Sequence, residues 1–303
     1  MILRKDEVVK MLISCPTSIL DARLGSVDKA IELLAGAGFD AYDITLCSMY
    51  KDDEHWANVN GWREEARRLR AVADSAGILC NQCHAPFPSS VGDDEKDAVI
   101  FEKIVRSMEI ASIMGTKIIV VHPKQHLTYA EHRDELFEMN VEFYKSLIPY
   151  CEKFGIKVAT ENMWQHNKNN KSIIDSTCSR ACEFCDYIDA VGSEWLIGCL
   201  DIGHAALIGA NIPDFIRAMG KERLQALHIH DVDYIVDSHT LPYTLKIDYD
   251  EVASALAEIG YEGDITFEAM SFFKKFPIEV LPDAARLMCA VGRHIARIVE
   301  ESK

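Results

Sequence analysis

The chain has 303 residues, 49% hydrophobic and 26% charged, which is enough for one large domain or two ordinary ones around a sizeable core. Its 48 acidic residues outnumber 32 basic ones, giving a formal net charge of −16 that opposes nonspecific binding to nucleic acid. No stretch reaches the ~18 uninterrupted apolar residues of a membrane span.

The start is charged at Arg4, Lys5, Asp6 and Glu7, and its apolar run stops at Pro16, so no signal peptide is expected. Ten cysteines include Cys80-x-x-Cys83 and Cys178, Cys182 and Cys185. The latter three fall at the spacing of one buried helical stripe, while Cys80 and Cys83 are expected on opposite sides of a strand. Reduced, buried thiols fit better than a metal or iron–sulfur motif, and they suit a cytoplasmic location.

In chain order the same unit recurs: a short apolar run, a polar loop, then an amphipathic stretch. Met11–Cys15 precedes a helix over Ser26–Ala35, with Ser26 as its N-cap. Phe39–Leu46 precedes a helix over Trp62–Ala76, and Ile78–Cys83 one over Ala98–Met114. Lys117–Val121 is followed by Asp134–Lys153, and Ile156–Thr160 by Cys178–Ala190. Leu196–Leu200 leads to a helix from Pro213, and Leu224–Ile229 to one over Tyr249–Ile259. Asp264–Phe267 comes before a last helix with Ala284, Leu287, Val291, Ile295 and Ile298 on its inner face.

Eight strand–helix units in about 300 residues predict a single (β/α)8 TIM barrel domain over 1–303. The rival, a doubly wound open sheet, usually carries a glycine fingerprint after its first strand, and Pro16-Thr17-Ser18 has none. The long loops at 47–61, 85–96, 162–176 and 231–248 all follow strands, so a barrel gathers them on one rim.

The ends of the runs carry the chemistry. His84, His122, Glu161, Asp201 with His204 beyond it, His228 and Glu268 close six successive runs. One such residue is ordinarily a hydrogen-bonded rim residue, but six in succession specify a converging site. Glu161, Asp201, His228 and Glu268 form an oxygen-rich set suited to Mn2+, Mg2+ or Zn2+. His84, His122, His204, Asp237 and His239 form a nitrogen-rich group, fit for a second ion or for substrate. Trp56, Phe87 and Trp164 are candidates to wall a pocket.

The motifs HAPF (84–87), VVHP (120–123), TEN (160–162), LDIGH (200–204), LHIHD (227–231), DSHTLP (237–242) and TFEAM (266–270) resemble those of the xylose-isomerase-like barrels. That family includes sugar and sugar-phosphate isomerases and epimerases and relatives of the endonuclease IV type. By matching position, the ketose-epimerase pattern implies that Glu161, Asp201, His228 and Glu268 hold a metal. It also makes Glu161 and Glu268 the acid–base pair working through an enediolate, and His204 a holder of a substrate hydroxyl. The endonuclease pattern implies nine ligands for three zincs, and all nine residue types are present. Acidic loops (Asp52, Asp53 and Glu54; Asp93, Asp94 and Glu95; Asp231, Asp233 and Asp237) favour a small carbohydrate substrate over DNA. The alternatives that stay open are a zinc phosphodiesterase acting on abasic DNA, a dehydratase or lyase on a polyol or sugar, and a metal-stabilised binding protein without turnover. A homo-oligomer is compatible with the sequence.

Overall fold

A computed structural model describes residues 11–302, so Arg4, Lys5, Asp6 and Glu7 lie outside the described residues. Ten strands follow in chain order: β1 (Ile13–Pro16), β2 (Ala41–Thr45), β3 (Leu79–His84), β4 (Ile118–Val120), β5 (Lys157–Glu161), β6 (Trp164–His166), β7 (Ile173–Asp175), β8 (Leu196–Asp201), β9 (Leu224–His228) and β10 (Ile265–Thr266). All but β6 and β7 pair in parallel, in the order β10-β1-β2-β3-β4-β5-β8-β9. A single parallel bridge between Ile229 and Phe267 joins the two ends, with Ile229 N donating to Thr266 O at 2.9 Å and Glu268 N to Ile229 O at 3.0 Å. The eight apolar runs have become the staves of a nearly closed (β/α)8 TIM barrel.

The helices are α1 (Ser18–Leu24), α2 (Val27–Ala37), α3 (Trp62–Ala76), α4 (Asp94–Met114), α5 (Tyr129–Phe154), α6 (Ala181–Val191), α7 (Ile202–Leu207), α8 (Ile212–Arg223), α9 (Tyr249–Glu258) and α10 (Leu281–Glu301). The Ser26 side chain accepts from Lys29 N and caps α2. Asp93 caps α4 in the same way, and Asp94 and Glu95 stand in its first turn, where they complement the helix dipole. Those three acids therefore belong to a helix start rather than to a free loop. Among the described residues no helix is long and apolar enough to cross a membrane.

Side chains alternate between two cores. Leu196, Leu200 and Leu227 face the large core shared with the helices, whereas Val120, Ala159, Ile197, Cys199 and Ala226 form a small separate cluster from β4, β5, β8 and β9, which is the barrel interior. The pairing of β2 with β3 shifts register between Tyr42 and Asp43, because Tyr42 opposes Cys80 and Asp43 opposes Gln82. This bulge overturns one expectation. Cys80 and Cys83 do not face opposite sides; the extra residue between them puts both in the helix-side core.

Two further expectations fail. Cys178 is buried but precedes α6, with a left-handed φ of 62°, and Cys182 is exposed, so the three cysteines form no common stripe. All ten cysteines are free thiols. On α10 the inner face runs through Leu281, Ala285, Met288, Gly292, Ile295 and Val299, while Leu287 is 53% exposed. A Cβ on Gly292 would lie 2.6 Å from Ile13 Cγ2 and 2.9 Å from the Phe267 ring. Small residues bring the helix close to the barrel there; of the five expected inner residues Ala284 and Ile295 are buried, Val291 and Ile298 pack half-buried against the core, and Leu287 turns outward.

Candidate metal centre

Each strand-end donor is placed by the sheet itself. His84, Glu161, Asp201 and His228 are the last residues of β3, β5, β8 and β9; His122 and Glu268 lie two residues beyond β4 and β10. Ligand atoms of Glu161, Asp201, His228 and Glu268 all lie within 4.8 Å of one another, as do those of His84, His122 and Glu161. A third group with the same closeness joins His204, Asp237 and His239 to His230. Every metal-capable residue named from the sequence therefore converges on one end of the barrel. His230, from the dense histidine run of LHIHD, completes that third group.

In the first group, His228 Nδ1 stands 3.2 Å from Glu161 Oε2 and 3.3 Å from Glu268 Oε2. Both oxygens of Glu161, Oε2 of Glu268 and Nδ1 of His228 are buried without a well-formed hydrogen bond. Such orphaned acceptors in a dry site are costly, and a divalent cation would relieve them. Three carboxylates and one imidazole, about −3 when ionised, form a hard donor set that fits Mn2+, Mg2+ or Zn2+.

Burial pushes the Glu161 carboxyl up, but the rings of His228, His122 and His204 outweigh it and hold the group well below the usual carboxylate range. Burial also pushes Glu268 up, and there the charges of Glu161 and Asp201 add to it, so its carboxyl titrates well above that range. In the metal-free site the two neighbouring glutamates are thus driven in opposite directions.

The nitrogen-rich set expected as one is divided: His84 and His122 lie with Glu161, whereas His204, Asp237 and His239 lie with His230. His204 Nδ1 donates to Asn162 O at 2.9 Å, and His239 Nδ1 to Glu268 O at 2.7 Å. Carbonyls only accept, so each ring carries its proton on Nδ1 and presents Nε2 to Asp237 Oδ2, at 3.4 and 3.1 Å. A lone pair facing a carboxylate at that range needs a proton or a cation between them. With no cation, His204 is protonated: burial opposes its charge, but Asp201, Asp237 and Glu161 overcome burial and raise it well above the ordinary imidazole value. His230 Nε2 lies 3.1 and 3.2 Å from the two Asp201 oxygens, and its ring stacks on His239 at 4.2 Å. It links the two groups. Its room comes from Gly203, where a Cβ would stand 2.0 Å from His230 Cε1.

Asp231 does not join the cluster. It is fully buried and accepts from the backbone N–H groups of Val232, Thr244, Leu245, Lys246 and Ile247, tying down the loop that carries Asp237 and His239. Phe87 packs on His122 with ring centroids 4.6 Å apart. Trp164 Nε1 donates to Asp237 Oδ2 at 3.2 Å, on the hairpin β6–β7 that periodicity did not foresee. Trp56 is half-buried; its ring partner is His55 and it packs against the helix-side core.

A parallel eight-stranded barrel with carboxylates and imidazoles converging at the C-terminal strand ends defines a (β/α)8 protein built around a polar, cation-ready centre. The sequence model of the xylose isomerase-like TIM barrel family matches residues 31–288, and the chain belongs to that family. It is 28% identical over 250 residues to the uncharacterized protein MJ1311 of Methanocaldococcus jannaschii, covering 80% of this chain and 79% of that one. To fructoselysine 3-epimerase of Escherichia coli O157:H7 it is 21% identical over 192 residues, covering 63% of this chain and 66% of the relative. A solved D-tagatose 3-epimerase-like protein matches with a TM-score of 0.73 at 21% identity, over 96% of this chain and 99% of its own; at that identity the likeness speaks for the fold.

Proposed function

We propose that the protein is a divalent-metal-dependent sugar or sugar-phosphate isomerase or epimerase, a single-domain enzyme in which Glu161 and Glu268 handle the substrate proton. The observation that carries this reading is geometric: Glu161 and Glu268 flank His228 Nδ1 at 3.2 and 3.3 Å, in a four-donor group whose ligand atoms lie within 4.8 Å of one another. The epimerase names among its relatives and structural neighbours support it.

Glu161, Asp201, His228 and Glu268 would hold the metal. When bound, it supplies Lewis acidity that lowers the cost of negative charge on a substrate oxygen as the adjacent carbon loses its proton. Glu161 and Glu268, on either side of His228, are placed one to take a proton from the substrate and the other to return one. Asp237 and His239, partly buried at the rim, and His122, buried beside Glu161, offer hydrogen bonds to hydroxyls. Phe87 and Trp164 supply apolar walls that keep water out of the proton's path.

The test is deuterium wash-in. A panel of free and phosphorylated ketoses is incubated in D2O with Mn2+-loaded protein, and solvent deuterium at the carbon beside the carbonyl is read by NMR. Incorporation into at least one ketose is expected; absence across the panel overturns the reading. A hydrolytic reading rests on a different observation: the nine zinc-type ligands fall within three close groups, two of which share Glu161 while the third also takes in His230. Three firmly held zincs per chain, with cleavage of abasic DNA and no wash-in, would establish that function instead.

A further inference from the structure

The first two strands of the barrel supply none of the donors discussed so far, yet β2 sends one fully buried carboxylate, Asp43, into the interior beneath them. Asp43 Oδ2 is 2.7 Å from His84 Nδ1. The same oxygen accepts from Gln82 Nε2 at 3.0 Å, and that amide nitrogen lies 2.7 Å from His228 Nε2. The rings of His84 and His228 stack with centroids 4.6 Å apart and planes 19° apart. One carboxylate therefore touches one imidazole directly and a second through an amide, and the two rings it reaches pack on each other.

We propose that Asp43 is a positioning residue of the cation site, holding His84 directly and His228 through Gln82. The proposal rests on the cation reading of the site given above. The β-bulge is what makes the arrangement available. Its extra residue turns Cys80 and Cys83 to the helix side and sets Gln82 opposite Asp43. A carboxylate can only accept, so Asp43 requires the His84 proton on Nδ1 and frees Nε2 to face the cluster. Gln82 Nε2 faces both Asp43 Oδ2 and His228 Nε2, and an amide nitrogen only donates, so His228 Nε2 accepts and the ring carries its proton on Nδ1. That Nδ1 is aimed between Glu161 and Glu268 and would give up its proton to a cation binding there. Carboxylates behind ligand histidines commonly set ring orientation and ligand strength, and losing one typically costs roughly 10- to 100-fold in metal affinity.

The experiment measures cation affinity rather than turnover. Mn2+ binding to the full chain is followed by EPR of the free ion, and Co2+ binding by its visible spectrum, for wild type, Asp43→Asn, Gln82→Met and the double variant. Thermal unfolding of each metal-free protein reports folding. Asp43→Asn is near-isosteric and should weaken binding roughly 10- to 100-fold and alter the Co2+ spectrum. Gln82→Met should weaken binding less, and should add little once Asp43 is already Asn, because Gln82 passes on the hold of Asp43. Unchanged affinity and spectrum in Asp43→Asn, with only the melting temperature shifted, would make Asp43 a structural residue and overturn the proposal. Additive losses in the double variant would overturn the relay through Gln82. If Asp43→Asn does not fold, Gln82→Met alone decides: unchanged affinity and spectrum overturn the relay. Wild type that binds neither ion would overturn both this proposal and the cation reading beneath it, whereas tight wild-type binding without wash-in would sink only the proposed reaction.

Discussion

The two donor groups at the mouth of the barrel have similar chemistry and different supports. Glu161, Asp201 and His228 end strands, and Glu268 follows one, so the sheet's own hydrogen bonds set their backbones. Asp237 and His239 instead lie on the 231–248 loop, with His239 at a φ of 41°, and His204 sits on the short α7. Five backbone N–H groups around that loop converge on one buried anion, Asp231, with His239 Nδ1 donating to Glu268 O as a further tie. A strand-end donor inherits its position from the barrel, whereas a loop donor needs an anchor of its own. The first group should therefore survive damage that dismantles the second.

The largest effect should come from the first group's chemistry. Glu161→Gln and Glu268→Gln keep the size and one oxygen donor but remove the charge and the proton carrier. Deuterium wash-in with saturating Mn2+ should fall by about 10²–10⁴-fold in each. Full exchange in both variants would break the two-glutamate mechanism.

Next comes the loop anchor. Asp231→Ala leaves backbone donors without an acceptor, at a cost of roughly 1–3 kcal/mol for each buried group left unsatisfied. A clear drop in melting temperature and proteolytic cleavage within 231–248 are expected, with Mn2+ affinity of the strand-end group kept within a few-fold. Equal loss of both groups would show that they share one support.

Gly203→Ala probes the link between them. The new methyl would occupy the space of the His230 ring, 2.0 Å from Cε1, and pull it from Asp201 and His239. Cation binding should weaken by about tenfold, in line with losing an outer contact to a ligand. Titration with Zn2+ should show the loss at both groups; a loss at one alone would make His230 a member of that group only.

The smallest effect is on the metal-free protein. Glu268 titrates well above the ordinary 4.5 of a glutamate and His204 well above the ordinary 6.5 of an imidazole. Both raised groups favour the folded state in their protonated forms. Their contribution is fully present below those ordinary values and is lost as pH rises through the folded ones. Between pH 6 and 8 the metal-free melting temperature should therefore fall. Glu268→Gln removes a carboxyl that is costly to ionise in the fold and should raise that temperature at pH 8 by a few degrees, about 1 kcal/mol corresponding to roughly 2–4 °C in domains of 150–250 residues. With Mn2+ present, wild type should be the more stable of the two.

Much of the barrel and most of the site were readable along the chain. Apolar runs, their spacing and their polar ends reflect near neighbours, and a buried strand that ends in His or Glu carries that mark locally. Tertiary structure decided the rest, because it depends on which distant side chains meet. Gln82 reaches His228 across 146 positions, and nothing near either residue announces the contact. The same holds for Gly203, whose missing side chain matters only because His230 fills the space, and for α10, where Gly292 rather than Leu287 faces the barrel. Periodicity sets whether a residue can point inward; a bulge of one residue between β2 and β3, decided by pairing with another strand, sets whether it does.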